Sequence, residues 1–114
     1  MDTKNLPVID WDLGTKLAGK KEIAEEILTY LVSTLPDDND EIQRFYAKNQ
    51  YPELKQRVHK LHGAVCYCPT PRLKQALAQL ESELKTNIMD SLAKRLSELN
   101  KEVTLVLEAY PPSR

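Results

Sequence analysis

Glycine is scarce, with three residues in 114, and aromatic side chains make up only 6%. A sheet-rich fold draws on turn glycines and on β-branched or aromatic runs, so this composition argues against one. Two cysteines are too few for a disulfide framework and fit a reduced, cytoplasmic setting. No apolar run approaches the roughly 18 residues that a spanning helix needs, so no direct membrane contact is expected. Met1 to Asn5 lack the apolar core of a signal peptide. A basic surplus is also missing: the net charge is −1, whereas nucleic-acid binders are strongly positive. Neither G-x-x-x-x-G-K-[ST] nor G-x-G-x-x-G occurs, so the chain shows no means of holding a nucleotide. No Ser-His-Asp order or paired-carboxylate arrangement stands out either.

One absence is local. Between Leu54 and Leu80 there is no Asp or Glu, yet Lys55, Arg57, Lys60, Arg72 and Lys74 lie there. Such a stretch makes a mildly positive patch that attracts an acidic partner.

What is present is helical periodicity. Asp10 is a good N-cap for a short helix over 11–18, and Gly19 a natural stop. Trp11, Leu13 and Leu17 are its expected inward residues. A second helix runs from about Lys20 to Thr34, with Ile23, Ile27, Tyr30 and Leu31 inward. Pro36 is expected to break or kink it. Asp37, Asp38 and Asp40 then favour a fresh helix start, with Ile42, Phe45 and Tyr46 inward. The pattern leaves open whether 20–48 is one bent helix or two.

Pro52 suits the first turn of a third helix reaching about Tyr67. Leu54, Val58, Leu61, Val65 and Cys68 form its apolar stripe. Thr70-Pro71 caps a fourth helix ending near Lys85, with Leu73, Leu77, Leu80 and Leu84 inward. Asn87 is expected to cap a last helix, with Ile88, Leu92, Leu96, Leu99, Val103 and Val106 inward, ending before Pro111-Pro112. The expected fold is all-α: an antiparallel four-helix bundle, joined by loops of two to four residues, with the short first helix covering one end. Residues 1–8 form a lead-in, 9–110 the domain and 111–114 a tail.

The chemistry centres on His59. At about 100° per residue it lies roughly 140° from the middle of the third helix's stripe and so faces water. Lys55, Gln56, His62, Gly63 and Cys66 share its side, with Lys60 adjoining. Lys55 and His62 can neutralise a dianion beside the ring. Gly63, which costs about 1 kcal/mol relative to Ala inside a helix, removes bulk next to it. His62, Cys66 and Cys68 do not make a convincing metal site, since Cys68 belongs to the apolar stripe and Cys-x-Cys is not the usual ligand pair. No metal is expected. A non-catalytic bundle that binds an acidic protein partner is the alternative.

His59-Lys60-Leu61-His62-Gly63-Ala64, then Tyr67, Pro69-x-x-x-Leu73 and Leu80-Glu81, resembles the histidine phosphotransfer (HPt) domain, whose motif is His-x-Leu-Lys-Gly-[Ala/Ser]. His in the Lys place is similar to the C-terminal HPt domain of BarA/GacS-type hybrid sensor kinases, as are Ile9-Asp10-Trp11 and Leu35-Pro36. The likeness covers roughly 8–108. It departs at Cys68-Pro69, where the family often has Gly after the Tyr position.

The resemblance implies that His59 is the phospho-acceptor of a two-component phosphorelay. The phosphoryl group comes from the aspartyl phosphate of a receiver domain and passes to an Asp of a response regulator. Lys55, Gln56, Lys60, His62, Gly63 and Cys66 would face those partners. It implies a phosphocarrier rather than an enzyme, without an ATP site or cofactor, with Mg2+ on the receiver. It further implies a monomer, cytoplasmic, read as the excised C-terminal part of an inner-membrane kinase.

Overall fold

Asp10 fixes the first helix. The computed structural model describes residues 5–87 and 90–112. In it the Asp10 carboxylate accepts from the Leu13 N–H at 3.0 Å, an N-cap on α1, Trp11–Ala18. Gly19 closes α1 in the left-handed region, at φ 92°. The Asp10 N–H also donates to the Pro69 carbonyl at 2.9 Å, which pins α1 to the loop between the third and fourth helices. Gly14 is the buried residue of α1, and a Cβ there would come within 2.7 Å of Pro69 Cβ. Trp11 is half-buried, edge-on to Tyr110, with ring centroids 5.9 Å apart. Leu17, expected inward, is exposed, because Gly14 takes the tight approach on that face.

Four longer helices follow: α2 Lys21–Ala47, α3 Tyr51–Val65, α4 Pro71–Lys85 and α5 Leu92–Ala109. Among the described residues there is no strand. Side-chain pairs show the sense of packing. As α2 advances from Thr29 through Asn39 to Gln43, its bonded partners retreat from Tyr110, just past the end of α5, through Asn100 to Leu96. On α4 and α5, Arg72 meets Glu102 while Glu83 meets Ser91. Neighbours are therefore antiparallel, and α1 lies over the end that holds the α3–α4 loop and Tyr110.

The core is leucine-rich. Leu28, Leu35, Ile42, Leu54, Leu73, Leu77, Leu80, Leu84, Leu96 and Leu99 are fully buried. Each contributes about 1.5–3 kcal/mol of burial, and trimming one to Ala would cost about 2–5 kcal/mol. The predicted stripes of α3 and α4 and the described part of that of α5 are buried, Cys68 included.

Several sequence-based expectations are decided or corrected by the structure. Of the two arrangements left open for 20–48, the structure has the single helix: α2 runs on through Pro36. The one bond it removes is outweighed by Leu28, Leu31, Val32 and Leu35 before it and Ile42 after it, all on one core. Asp37, Asp38 and Asp40 are thus mid-helix, not a helix start. The inner line of α2 is Ala24, Leu28, Leu31 and Leu35, while Ile23 and Tyr30 are exposed. Finally, α5 begins at Leu92, and Asn87 instead follows the end of α4 with φ 57°, a left-handed residue closing that helix. Ile88 lies outside the described residues, as do 1–4 of the lead-in and 113–114 of the tail. The loop 66–70 is longer than two to four residues. Thr70 holds the N-cap position of α4 without a side-chain capping bond.

Candidate functional site

The third helix turns Leu54, Val58, Leu61 and Val65 into the core and leaves its opposite side to water. His59 stands on that outer side with 75% of its side chain exposed. Its ring is nevertheless not free to wander. Nδ1 is hydrogen-bonded to Oε2 of Glu81 on α4. The other oxygen of the same carboxylate, Oε1, lies 2.6 Å from Nδ1 of His62. Glu81 thus bridges two imidazoles one helical turn apart, and Lys85 Nζ sits 3.7 Å from the oxygen that His59 uses.

The burial of Glu81 follows from its place in α4. Residues 77, 80, 81 and 84 share one face, and Leu77, Leu80 and Leu84 of that face are core. A carboxylate held there needs partners, since a buried charge is costly unless it is paired. Burial pushes its pKa up, but the bonds from His59 and His62, with the nearby charge of Lys85, outweigh that and hold it below the usual carboxylate range. An ionised carboxylate only accepts, so both histidines present Nδ1–H to it. That assignment leaves the Nε2 lone pair of His59 outward, on the exposed edge of the ring.

The remaining predicted residues divide between two sides of α3. Lys55 lies toward α4, and its Nζ reaches Oδ1 of Asn87 at 3.4 Å. His62 is mostly covered, with 24% of its side chain exposed, because Glu81 holds it. Gly63 is exposed, and a Cβ added there would meet nothing within 4 Å. Neither backbone strain nor packing within the chain therefore demands a glycine at 63. Gln56 and Lys60 lie toward α2, lining a hollow with Phe45, Glu53 and Arg57. Arg57 is anchored there by Asp38 at 3.5 Å and Glu41 at 3.0 Å. Cys66 is half-buried, its thiol donating to the His62 carbonyl at 3.2 Å. Cys68 is buried, which pushes its thiol up to about 11, the nearby Cys66 adding to the effect. Among the described residues no three potential ligands gather around a metal position.

The acid-free surroundings expected for His59 do not hold. Glu81 is the first residue past the acid-free stretch, and α4 runs back antiparallel to deliver it to the ring. It is the site residue that the reading of the sequence passed over. The signal was its register, a lone carboxylate among leucines on an inward face.

What the arrangement offers is a nucleophilic nitrogen on a rigid helix, oriented by a carboxylate, with open space one turn away. Comparison with known proteins bears on the family of the chain. The Hpt domain family model matches residues 26–109. The sensor histidine kinase GacS of Pseudomonas protegens is 41% identical over 81 residues, 70% of this chain and 9% of that protein. The signal transduction histidine-protein kinase BarA of Escherichia coli K12 is 29% identical over 97 residues, 83% of this chain and 11% of that protein. The chain therefore spans about a tenth of the length of these curated relatives. The crystal structure of the HPT domain of a hybrid histidine kinase from Shewanella superposes with a TM-score of 0.83 at 34% identity, covering 90% of this chain and 89% of that one.

Proposed function

The chain belongs to the Hpt domain family, and from that premise we propose that it carries a phosphoryl group on His59 between the aspartates of two receiver domains. The observation behind this reading is the His59 ring: exposed, and held at Nδ1 by a carboxylate that is itself largely buried.

In the forward step Nε2 attacks the phosphorus of an aspartyl phosphate on the donor receiver. The N–P bond forms, the P–O bond breaks, and the aspartate leaves with the electron pair as a carboxylate. The ring becomes positively charged with its Nδ1–H still donated to Glu81, so no proton has to move. The reverse step, at an Asp of a response regulator, returns the neutral ring. Positioning and charge neutralisation supply most of what such a transfer needs. Mg2+ works on the receiver in this reading, and the chain binds neither ATP nor a cofactor of its own.

Gly63 leaves room for the receiver to close on His59. Lys55 and Lys60, on either side of α3, suit the acidic mouth of such a partner and make the encounter fast and salt-sensitive. The partners are a receiver domain of a hybrid kinase and a response regulator, met in the cytoplasm by a monomeric carrier domain.

The experiment is transfer from a purified receiver domain charged with acetyl phosphate and Mg2+. Alkali-stable, acid-labile label is expected on the chain, and His59→Gln abolishes it while helicity is unchanged. Label that survives in His59→Gln ends the reading. Binding without any covalent phosphate would favour the adaptor instead.

A further inference from the structure

The end of α3 is held by sulfur. Along a regular helix each carbonyl accepts from the N–H four residues on. At the end of α3 that pattern shifts. The Cys66 N–H turns to the Gly63 carbonyl at 3.3 Å, and the Cys68 N–H to the Val65 carbonyl at 3.0 Å. The carbonyls of His62 and Ala64 thereby lose those partners, and two thiols replace them. Cys66 Sγ donates to His62 at 3.2 Å and Cys68 Sγ to Ala64 at 3.4 Å. Each thiol has an approach of its own. Cys66 is half-buried beside His62. Cys68, though buried, lines a hollow of about 310 Å³ between α2 and α3, with Ile27, Tyr30, Leu31 and Ala64. Beyond Cys68 the chain is anchored at once, because the Pro69 carbonyl takes the Asp10 N–H at 2.9 Å. The piece left to move is the stretch from Gly63 to Cys68.

We propose that Cys66 and Cys68 are a reversible thiol switch: a peroxide closes them into an intrachain disulfide, which opens the last turn of α3 and slows phosphotransfer. The functional half rests on the reading of His59 as acceptor. The chemistry balances in two steps. The Cys66 thiolate attacks a peroxide oxygen; the S–O bond forms, the O–O bond breaks, and hydroxide leaves and is protonated to water. Cys68 then attacks the Cys66 sulfur; the S–S bond forms, the S–O bond breaks, and the departing oxygen takes the Cys68 proton as a second water. Two thiols are oxidised and one peroxide is reduced. Residues two apart on a helix have Cα atoms about 5.4 Å apart, within reach of a disulfide, but their side chains point about 200° apart around the axis. The sulfurs therefore meet only when the turn between them unwinds. Burial, which pushes the Cys68 thiol up to about 11, keeps it protonated in the closed helix, so bridging waits on that opening. Oxidation also removes both S–H donors, and the His62 and Ala64 carbonyls no longer hold the turn shut. His62 and Gly63 lie at that turn, and His62 shares the Glu81 carboxylate with His59. In a reducing compartment such a bridge is transient, as a switch requires. A purely structural reading competes, in which the thiols only cap the helix.

The test treats the whole chain with hydrogen peroxide, removes it, and compares samples with and without later reduction by dithiothreitol. The treated chain is expected to be a monomer lighter by two hydrogens, with faster amide exchange from Gly63 to Cys68. Its loading from a receiver domain charged with acetyl phosphate and Mg2+ slows at least about fivefold, through misplacement around His59. Dithiothreitol reverses all three. Cys68→Ser keeps a hydroxyl donor for the Ala64 carbonyl but cannot close the bridge, so it loads like the parent when reduced and keeps that rate and its amide protection after peroxide. Cys68→Ala takes its place if the serine variant folds poorly. A disulfide-linked dimer instead of the intrachain bridge overturns the proposal. So does a closed bridge with unchanged exchange or unchanged loading, or an equal loss of loading in Cys68→Ser. If the reduced parent takes no label, or His59→Gln keeps it, the acceptor reading fails instead, while mass and amide exchange still decide whether the bridge opens the turn.

Discussion

Glu81 and Glu102 sit alike in the bundle and do different work. Each lies on the inward face of its helix among core leucines and valines, and each meets a basic partner across a helix interface. Glu102 Oε2 takes Nη2 of Arg72 at 2.9 Å. That bond is single: Glu102 Oε1 and Arg72 Nε have no partner among the described residues. Glu81 uses both oxygens, and its partners are two imidazoles, one of them largely in water. Arginine keeps its charge at every accessible pH, so the α4–α5 pair acts as a fixed strut. Histidine carries a second nitrogen that the carboxylate does not use, so the α3–α4 pair leaves a reactive edge outside the fold. The choice of basic partner, more than the burial of the acid, separates a strut from a site.

The comparison breaks most visibly at the strut. Glu102→Ala strands the mostly covered Arg72 guanidinium and is expected to cost about 3 kcal/mol, read as a lower midpoint in urea. Replacing both partners, Arg72→Met with Glu102→Met, should recover most of that, because a buried pair competes poorly with well-packed apolar groups. Phosphotransfer per folded molecule stays at the parent level in both. A double variant as unstable as Glu102→Ala would mean that the pair stabilises the bundle on its own account.

At Glu81 the balance reverses. Glu81→Ala is expected to cost about 1 kcal/mol of stability, since its histidines can turn to water, while slowing transfer about tenfold through loss of ring orientation. The pH dependence carries a sign. The carboxyl's folded pKa is depressed, so its stabilisation is in full force above the ordinary carboxylate range and disappears as pH falls through the lower folded value. Glu81→Gln should therefore lose less stability than the parent on acidification below that range. Equal acid slopes for the two would show that Glu81 does not hold the histidines in solution.

The two carboxylates also mark where the sequence was readable. Local chemistry was: Asp10 and Gly19 bound α1, and the stripes of α3 and α4 predict the core residue by residue. His59 was legible because its exposure follows from helix phase alone. What the pattern hid depended on distant packing. Pro36 reads as a break or a kink and leaves one helix or two open, and it is the two halves of α2 pressed on one core that decide for one. Ile23 and Tyr30 look like core by bulk, but continuity with Leu35 and Ile42 puts Ala24, Leu28 and Leu31 inside. Glu81 is far from His59 in sequence, and only the antiparallel return of α4 makes them neighbours. Its place in a leucine stripe announced that it needed a partner, but not which one.

Gly63 gives the smallest and most diagnostic effect. In a helix interior Ala is favoured over Gly by about 0.5–1 kcal/mol, and here the added methyl would touch nothing in the chain. Gly63→Ala should therefore stabilise the bundle by that amount, a rise of a few degrees in melting temperature. If the empty volume serves a docking receiver, the same methyl intrudes on the interface and transfer from the phosphorylated receiver slows severalfold. Stability and activity would then move in opposite directions, as expected where a weak spot in the fold is kept for a partner. Loading by the small donor phosphoramidate, which needs no docking surface, should be unchanged. A variant that is more stable and equally fast with the receiver would show that the glycine leaves space no partner uses, and the approach path to His59 would have to lie elsewhere on α3.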